Sequence, residues 1–256
     1  MVVGLDRFSA HFADFKNCYV LIGGAASWVV LDEAGMRPRA TKDLDIVLCI
    51  EVLDSAFAGT FWEFIRAGGY VIGEKSQGNK TFYRFQSPSE PGYPYMLELF
   101  SRKPDLLVLG DDSHLTPIPV GKDVSSLSAI LLDENYYEFI HRHKREIEGV
   151  SLVTEECLIP LKARAWLDLV ARKAEGEKID NRDIKKHRND VLRLYLLLNQ
   201  ESLIELPEIV RKDLASFLRA IEPELSLQLL KQLDIKGVDP LGVLEVIRTV
   251  YGIVQK

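Results

Sequence analysis

The stretch ATKDLDIVL, Ala40 to Leu48, sets two aspartates one residue apart inside an apolar run. Side chains alternate along a strand, so Asp43 and Asp45 share a face, with α-carbons roughly 7 Å apart. Carboxylates that close repel unless something positive lies between them. Two arrangements answer this: both are solvated on an exposed strand face, or both hold a divalent metal. Upstream, Gly23-Gly24 ends the apolar run Tyr19 to Ile22 and opens a second segment. Glycines at such a turn let backbone N–H groups approach a phosphate, and the start of a helix adds positive partial charge. Downstream, YMLELF places Glu98 on one strand face with Met96 and Phe100. A carboxylate in so apolar a strand needs a partner if it is buried. Arg84, on the neighbouring predicted strand, is one; a metal shared with the aspartates is the other. Hard carboxylate oxygens from Asp43, Asp45 and Glu98 suit Mg²⁺, one ion or two.

Paired metals can lower the pKa of an attacking hydroxyl and neutralise a leaving pyrophosphate, which is the chemistry of in-line displacement at a nucleoside triphosphate. Glu98, or one of the aspartates, would take the proton.

The elements around these residues read as short strands and helices in alternation. NCYVLIGG suits a buried strand and tight turn, AASWVVLDEAG a short helix stopped by Gly35, and LDIVLCI a second strand. VLDSAFAGTFWEFIRAGGY carries Phe57, Phe61, Phe64 and Ile65 at helical spacing. TFYRFQS and YPYMLELFS read as strands joined by a Pro/Gly-rich turn. From about Leu127 helical periodicity takes over, in SAILLDENYYEFIHRHKREIEG, CLIPLKARAWLDLVARKAEG, RDIKKHRNDVLRLYLLLN and the segments after them. The expected fold is α+β: a mixed sheet flanked by helices over residues 1–125, then an α-helical bundle over 126–256, with the boundary near PIPVGKDVSSLS.

The 256 residues, 47% hydrophobic and 27% charged, have ordinary globular composition and room for two modest cores. A formal net charge of −6 supplies no general field for nucleic acid, so a polyanion would need a local patch. Arg182 to Arg193 offers one, with five basic side chains against two aspartates; a plain surface helix is the alternative. Cys18, Cys49 and Cys157 are odd in number and scattered, and read as buried free thiols. No signal peptide and no apolar run of about 20 residues is present, so a soluble cytoplasmic protein is expected. HRHKR, His141 to Arg145, reads as a solvated basic face because its histidines, two apart, would not share a helix face.

Gly23-Gly24, then Asp43-Leu44-Asp45, then LEL around Glu98 resemble the nucleotidyltransferase superfamily typified by DNA polymerase β. The fuller phrase RATKDLDIVL resembles the AbiEii-type minimal nucleotidyltransferases, toxin components of bacterial toxin–antitoxin and abortive-infection systems, in which an arginine and a threonine precede the paired aspartates, as Arg39 and Thr41 do here. LIPLKARAWLDLVARK resembles that family's helix bearing a phosphate-contacting lysine, here Lys162. DIKKHRNDVLRL resembles a later helix, with Asp190 as the functional acid and Lys186 beside it. Lys80 and Arg84 are further candidates for the triphosphate. One departure is Gly-Gly where the superfamily often has Gly-Ser, with Ser27 three residues past Gly24. The resemblance implies an Mg²⁺-dependent enzyme moving a nucleotide from an NTP to an acceptor hydroxyl, with the 3′ end of tRNA as acceptor and an antitoxin as partner. A small-molecule or protein hydroxyl is the alternative acceptor, and a non-catalytic nucleotide- or partner-binding role the alternative function.

Overall fold

A computed structural model of the chain describes residues 2–74, 80–103, 115–118 and 127–254. It divides into two compact units, Met1–Asp32 with Arg37–Val153, and Glu33–Met36 with Thr154–Lys256. The first unit is built on one sheet. Its strands are β1 (Tyr19–Ile22), β2 (Asp43–Leu48), β3 (Val71–Glu74), β4 (Lys80–Gln86), β5 (Met96–Ser101), β6 (Leu115–Ile118), β7 (Leu127–Leu131), β8 (Lys144–Ile147) and β9 (Val150–Val153). The strand order is β3-β4-β5-β2-β1-β9-β8, with β7 also pairing β5 and β6. Parallel and antiparallel neighbours are mixed: β2 runs parallel to β5 and antiparallel to β1.

Alternation decides which face carries what. Phe85, Leu97 and Leu44 lie side by side across β4, β5 and β2 and are fully buried. Helix α3 (Ser55–Gly68) covers that row, with the rings of Phe61 and Trp62 at 5.4 and 5.6 Å from Phe85. Helix α1 (Leu5–His11) joins through Phe8, 5.1 Å from Tyr19 and 5.8 Å from Phe64. Each such ring taken from water contributes about 1.5–3 kcal/mol. Helix α3 starts where the Asp54 side chain accepts the Phe57 N–H at 2.9 Å. It stops at Gly69, whose φ of 62° suits glycine. Residues one step along each strand therefore point to the opposite face, and that face carries Asp43, Asp45 and Glu98.

After β1 comes α2 (Gly23–Glu33). The helix expected over SAILLDENYYEFIHRHKREIEG is only partly one. Its first residues form β7, α4 spans Glu134–Arg142, and the remainder is a hairpin of β8 and β9. Glu148 and Gly149, at φ 49° and 77°, make a two-residue turn with both centres left-handed, the geometry that matches strand twist. Gly149, which closes the segment expected to be helical, is the second turn residue. The division between the two compact units falls at Val153/Thr154. Most of PIPVGKDVSSLS, where the boundary was expected, lies outside the described residues.

The second unit is helical, as expected for the later part of the chain: α5 (Glu155–Ala174), α6 (Asn181–Leu194), α7 (Glu208–Ile221), α8 (Leu227–Gln232) and α9 (Pro240–Val250). Its core holds Val210, Leu214, Phe217, Ile221, Val243 and Ile247, all fully buried, with Trp166 edge-on to Phe217 at 5.4 Å. Among the described residues no helix is long and apolar enough to cross a membrane.

Candidate active site

Ile22, Asp45, Glu98 and Arg84 form one row across four strands: β1, β2, β5 and β4. Neighbours in such a row sit about 4.8 Å apart. In the next row Asp43 stands opposite Met96, which stands opposite Gln86. The three expected carboxylates thus share one sheet face, because Leu44, Leu97 and Leu99 occupy the other.

The Gly-Gly turn closes against this row. Gly23 has φ 68°, and a Cβ placed on it would stand 1.8 Å from Asp45 Oδ2. A Cβ on Gly24 would stand 2.8 Å from Thr41 Oγ1 and 3.8 Å from Arg39 Nη2. Both glycines make close approaches, and they bring Asp45, Thr41 and Arg39 to the start of α2. Ser27 does not contribute there: its hydroxyl donates to the Gly23 carbonyl at 2.6 Å, a bond within the helix.

Glu98 has the arginine partner that the sequence offered. Arg84 donates through Nε at 2.7 Å and through Nη2, both to Oε1. The Glu98 side chain is 13% exposed and that of Arg84 44%. Asp43 Oδ1 is buried and makes no hydrogen bond with the described residues.

Among the described residues no three His, Cys, Asp or Glu side chains gather as a metal-holding group. The expected set of Asp43, Asp45 and Glu98 shares a face without gathering into such a group, and Arg84 holds Glu98. Two features still fit a hard cation: the orphaned buried oxygen of Asp43, and the carboxylate of Asp45 two residues along the same face. Arg84 itself lies on Glu98, where it was expected to reach for a triphosphate. The backbone of Lys80 begins β4, and its side chain lies outside those described.

The remaining predicted residues belong to the second unit. Lys162 Nζ lies 3.0 Å from Asp190 Oδ2, tying α5 to α6, and the two residues are only 3% and 5% exposed. This ion pair bridges two helices. Lys186 is half-buried on α6.

A further cluster in the first unit was not anticipated. The Tyr137 hydroxyl donates to Glu51 Oε2 at 2.7 Å and accepts the Ile50 N–H at 3.0 Å. Arg102 Nε donates to Glu51 Oε1 at 2.9 Å. Burial opposes ionisation of Glu51, but the Tyr137 and Arg102 hydrogen bonds outweigh it and hold its carboxyl below the usual range. His141 packs on the Tyr137 ring at 4.2 Å, half-buried, so this part of HRHKR is not a solvated face. Burial first, then nearby Lys144, lowers the pKa of His141. These groups, with Glu134 and Arg142, line a pocket of about 430 Å³. Nothing in the sequence joins positions 51, 102 and 137, which meet only through strand order.

No family model matches the chain, and no curated protein does. Among solved structures the chain is similar to an antigenic nucleotidyltransferase-like protein from Paracoccidioides brasiliensis, with 14% identity and a TM-score of 0.46 over 92% of this chain and 96% of that one.

Proposed function

We propose that this chain is an Mg²⁺-dependent nucleotidyltransferase that moves a nucleoside monophosphate from an NTP to an acceptor hydroxyl. The observation that carries the reading is the closure of the Gly23-Gly24 turn on Asp45, with Asp43 and Glu98 on the same face. Backbone N–H groups at the start of α2 would receive the phosphates, with the Arg39 guanidinium and Thr41 hydroxyl beside them. Asp43 and Asp45 would hold the divalent cation, which when bound supplies charge neutralisation at the leaving pyrophosphate and a lowered pKa for the attacking hydroxyl. Glu98 or one of the aspartates would take the hydroxyl proton as its oxygen attacks the α-phosphorus in line and pyrophosphate leaves.

The acceptor and the biological role rest on the AbiEii-type resemblance in the sequence. We assign the 3′ end of tRNA as acceptor, a growth-inhibiting toxin as the role, and an antitoxin as the neutralising partner. Basic α6 supports an RNA backbone contact. Lys80 and Lys186 enter through the resemblance. Lys162 and Asp190, each buried against the other, are better explained as a pair fixing α5 on α6.

The acceptor is tested by offering one labelled NTP to tRNA, serine-, threonine- and tyrosine-containing peptides and aminoglycosides in competition. Label on tRNA 3′ ends, together with arrest of growth on expression, is expected. Preferential label on a peptide or small molecule would keep the chemistry and replace the acceptor, and nucleotide-dependent stabilisation with no labelled product would point to a non-catalytic binder.

A further inference from the structure

Asp45 and Glu98 stand directly opposite on parallel neighbours β2 and β5. Like charges so placed destabilise a sheet unless a cation offsets them. On the far side of Glu98, in register on β4, stands Arg84. Its fork puts both Nε and Nη2 on a single carboxylate oxygen, Oε1. That geometry explains why no three carboxylates gather among the described residues. Two sit on the aspartate side of the row, and the third is drawn toward β4.

We infer that Arg84 is a built-in counter-cation that competes with the divalent metal for Glu98, so that the three carboxylates close on a cation only when Arg84 lets go of Oε1. This rests on the metal-binding reading given above. Arg84 is suited to release: its side chain is 44% exposed, whereas that of the Glu98 it holds is 13% exposed. A pair open to solvent on its arginine side contributes less than a fully buried one and is replaceable by a stronger local charge. Arg84 is thus a positioning residue, setting the cation concentration at which Glu98 joins the site and restraining the carboxylate until then.

The direction of its effect on metal affinity tests this role. Arg84→Gln removes the competitor, and the protein should bind Mn²⁺ more tightly, by about three- to fivefold in the half-saturating concentration, the range expected of a part-exposed pair. Mn²⁺ binding is read by electron paramagnetic resonance on the full chain without nucleotide, so turnover plays no part. Arg84→Lys keeps the charge but loses the fork, and should fall between wild type and Arg84→Gln. Glu98→Gln should weaken Mn²⁺ binding, and in that background Arg84→Gln should change nothing further. Unchanged Mn²⁺ affinity in Arg84→Gln and Arg84→Lys, with Asp45→Asn clearly weakened, overturns the competition and leaves the metal reading standing. Unchanged affinity in Asp43→Asn and Asp45→Asn overturns the metal reading itself. If Arg84→Gln lowers thermal stability, Arg84→Lys carries the comparison alone.

Discussion

Gly23 and Asp45 are packed so closely that the Asp45 carboxylate occupies the space a side chain on Gly23 would need: a Cβ on Gly23 would fall 1.8 Å from Asp45 Oδ2. Gly23→Ala must therefore rotate the Asp45 carboxylate away. It also forces an alanine to φ 68°, at a cost of roughly 1–2 kcal/mol. Nucleotidyl transfer should fall on the order of 10²-fold, as for other misplacements of about 1 Å. Gly35→Ala is the control, because Gly35 has φ 70° but nothing within 4 Å of its Cβ position. Urea titration should show both variants destabilised, with activity lost in Gly23→Ala alone.

The Lys162–Asp190 pair predicts a non-additive pattern. Lys162→Met removes the ammonium from beside a buried carboxylate and should cost about 3–5 kcal/mol. Asp190→Leu should cost a similar amount. The double variant replaces both charges with apolar groups and should be more stable than either single one. Chemical denaturation measures all three, and a double variant no better than the worse single one would show that the pair is not the coupling unit.

His141 predicts a pH dependence. Its folded pKa lies below the ordinary 6.5, chiefly through burial. The unfolded chain therefore binds the proton more readily, and stability falls as pH drops through 6.5 toward the folded value. Melting temperatures measured between pH 7.5 and pH 5 should decline in the wild type, and the slope should flatten in His141→Gln. An unchanged slope would place the dependence on other groups.

All three cysteines should be silent in the native state. Burial raises the pKa of Cys18, pushes Cys49 to about 12 and holds Cys157 well above the thiol range. Thiolate is the reactive form. A thiol-reactive chromogenic disulfide at pH 8 should modify none of the thiols in the folded protein and all three in urea.

Much of this site is readable from local sequence, because a strand's alternation is a local property. One spacing of two residues puts Asp43 and Asp45 on a common face, and the same rule places Glu98 with Met96 and Phe100. The glycine turn is equally local, and so is the apolar stripe of α3. Strand order and register are not: that Arg84 meets Glu98 was one of two readings, and only pairing across β4 and β5 decides it. Helix packing is less legible still. Lys162 and Asp190 lie on separate helices, and sequence spacing proposes only neighbours within one. At Glu148-Gly149 the local signal is ambiguous in itself, since a left-handed glycine ends a helix and also turns a hairpin. The choice there is made by the sheet that β9 joins through Leu152 and Leu21.

The central claim is transfer of the nucleotidyl group, and the most direct measurement uses one NTP labelled in turn at the α and the γ phosphate. Purified protein, Mg²⁺ and total tRNA are incubated with each, beside Asp45→Asn. Wild type should place α label on tRNA and release γ label in pyrophosphate, and Asp45→Asn should do neither. Transfer of γ label, or α label undiminished in Asp45→Asn, would contradict the account.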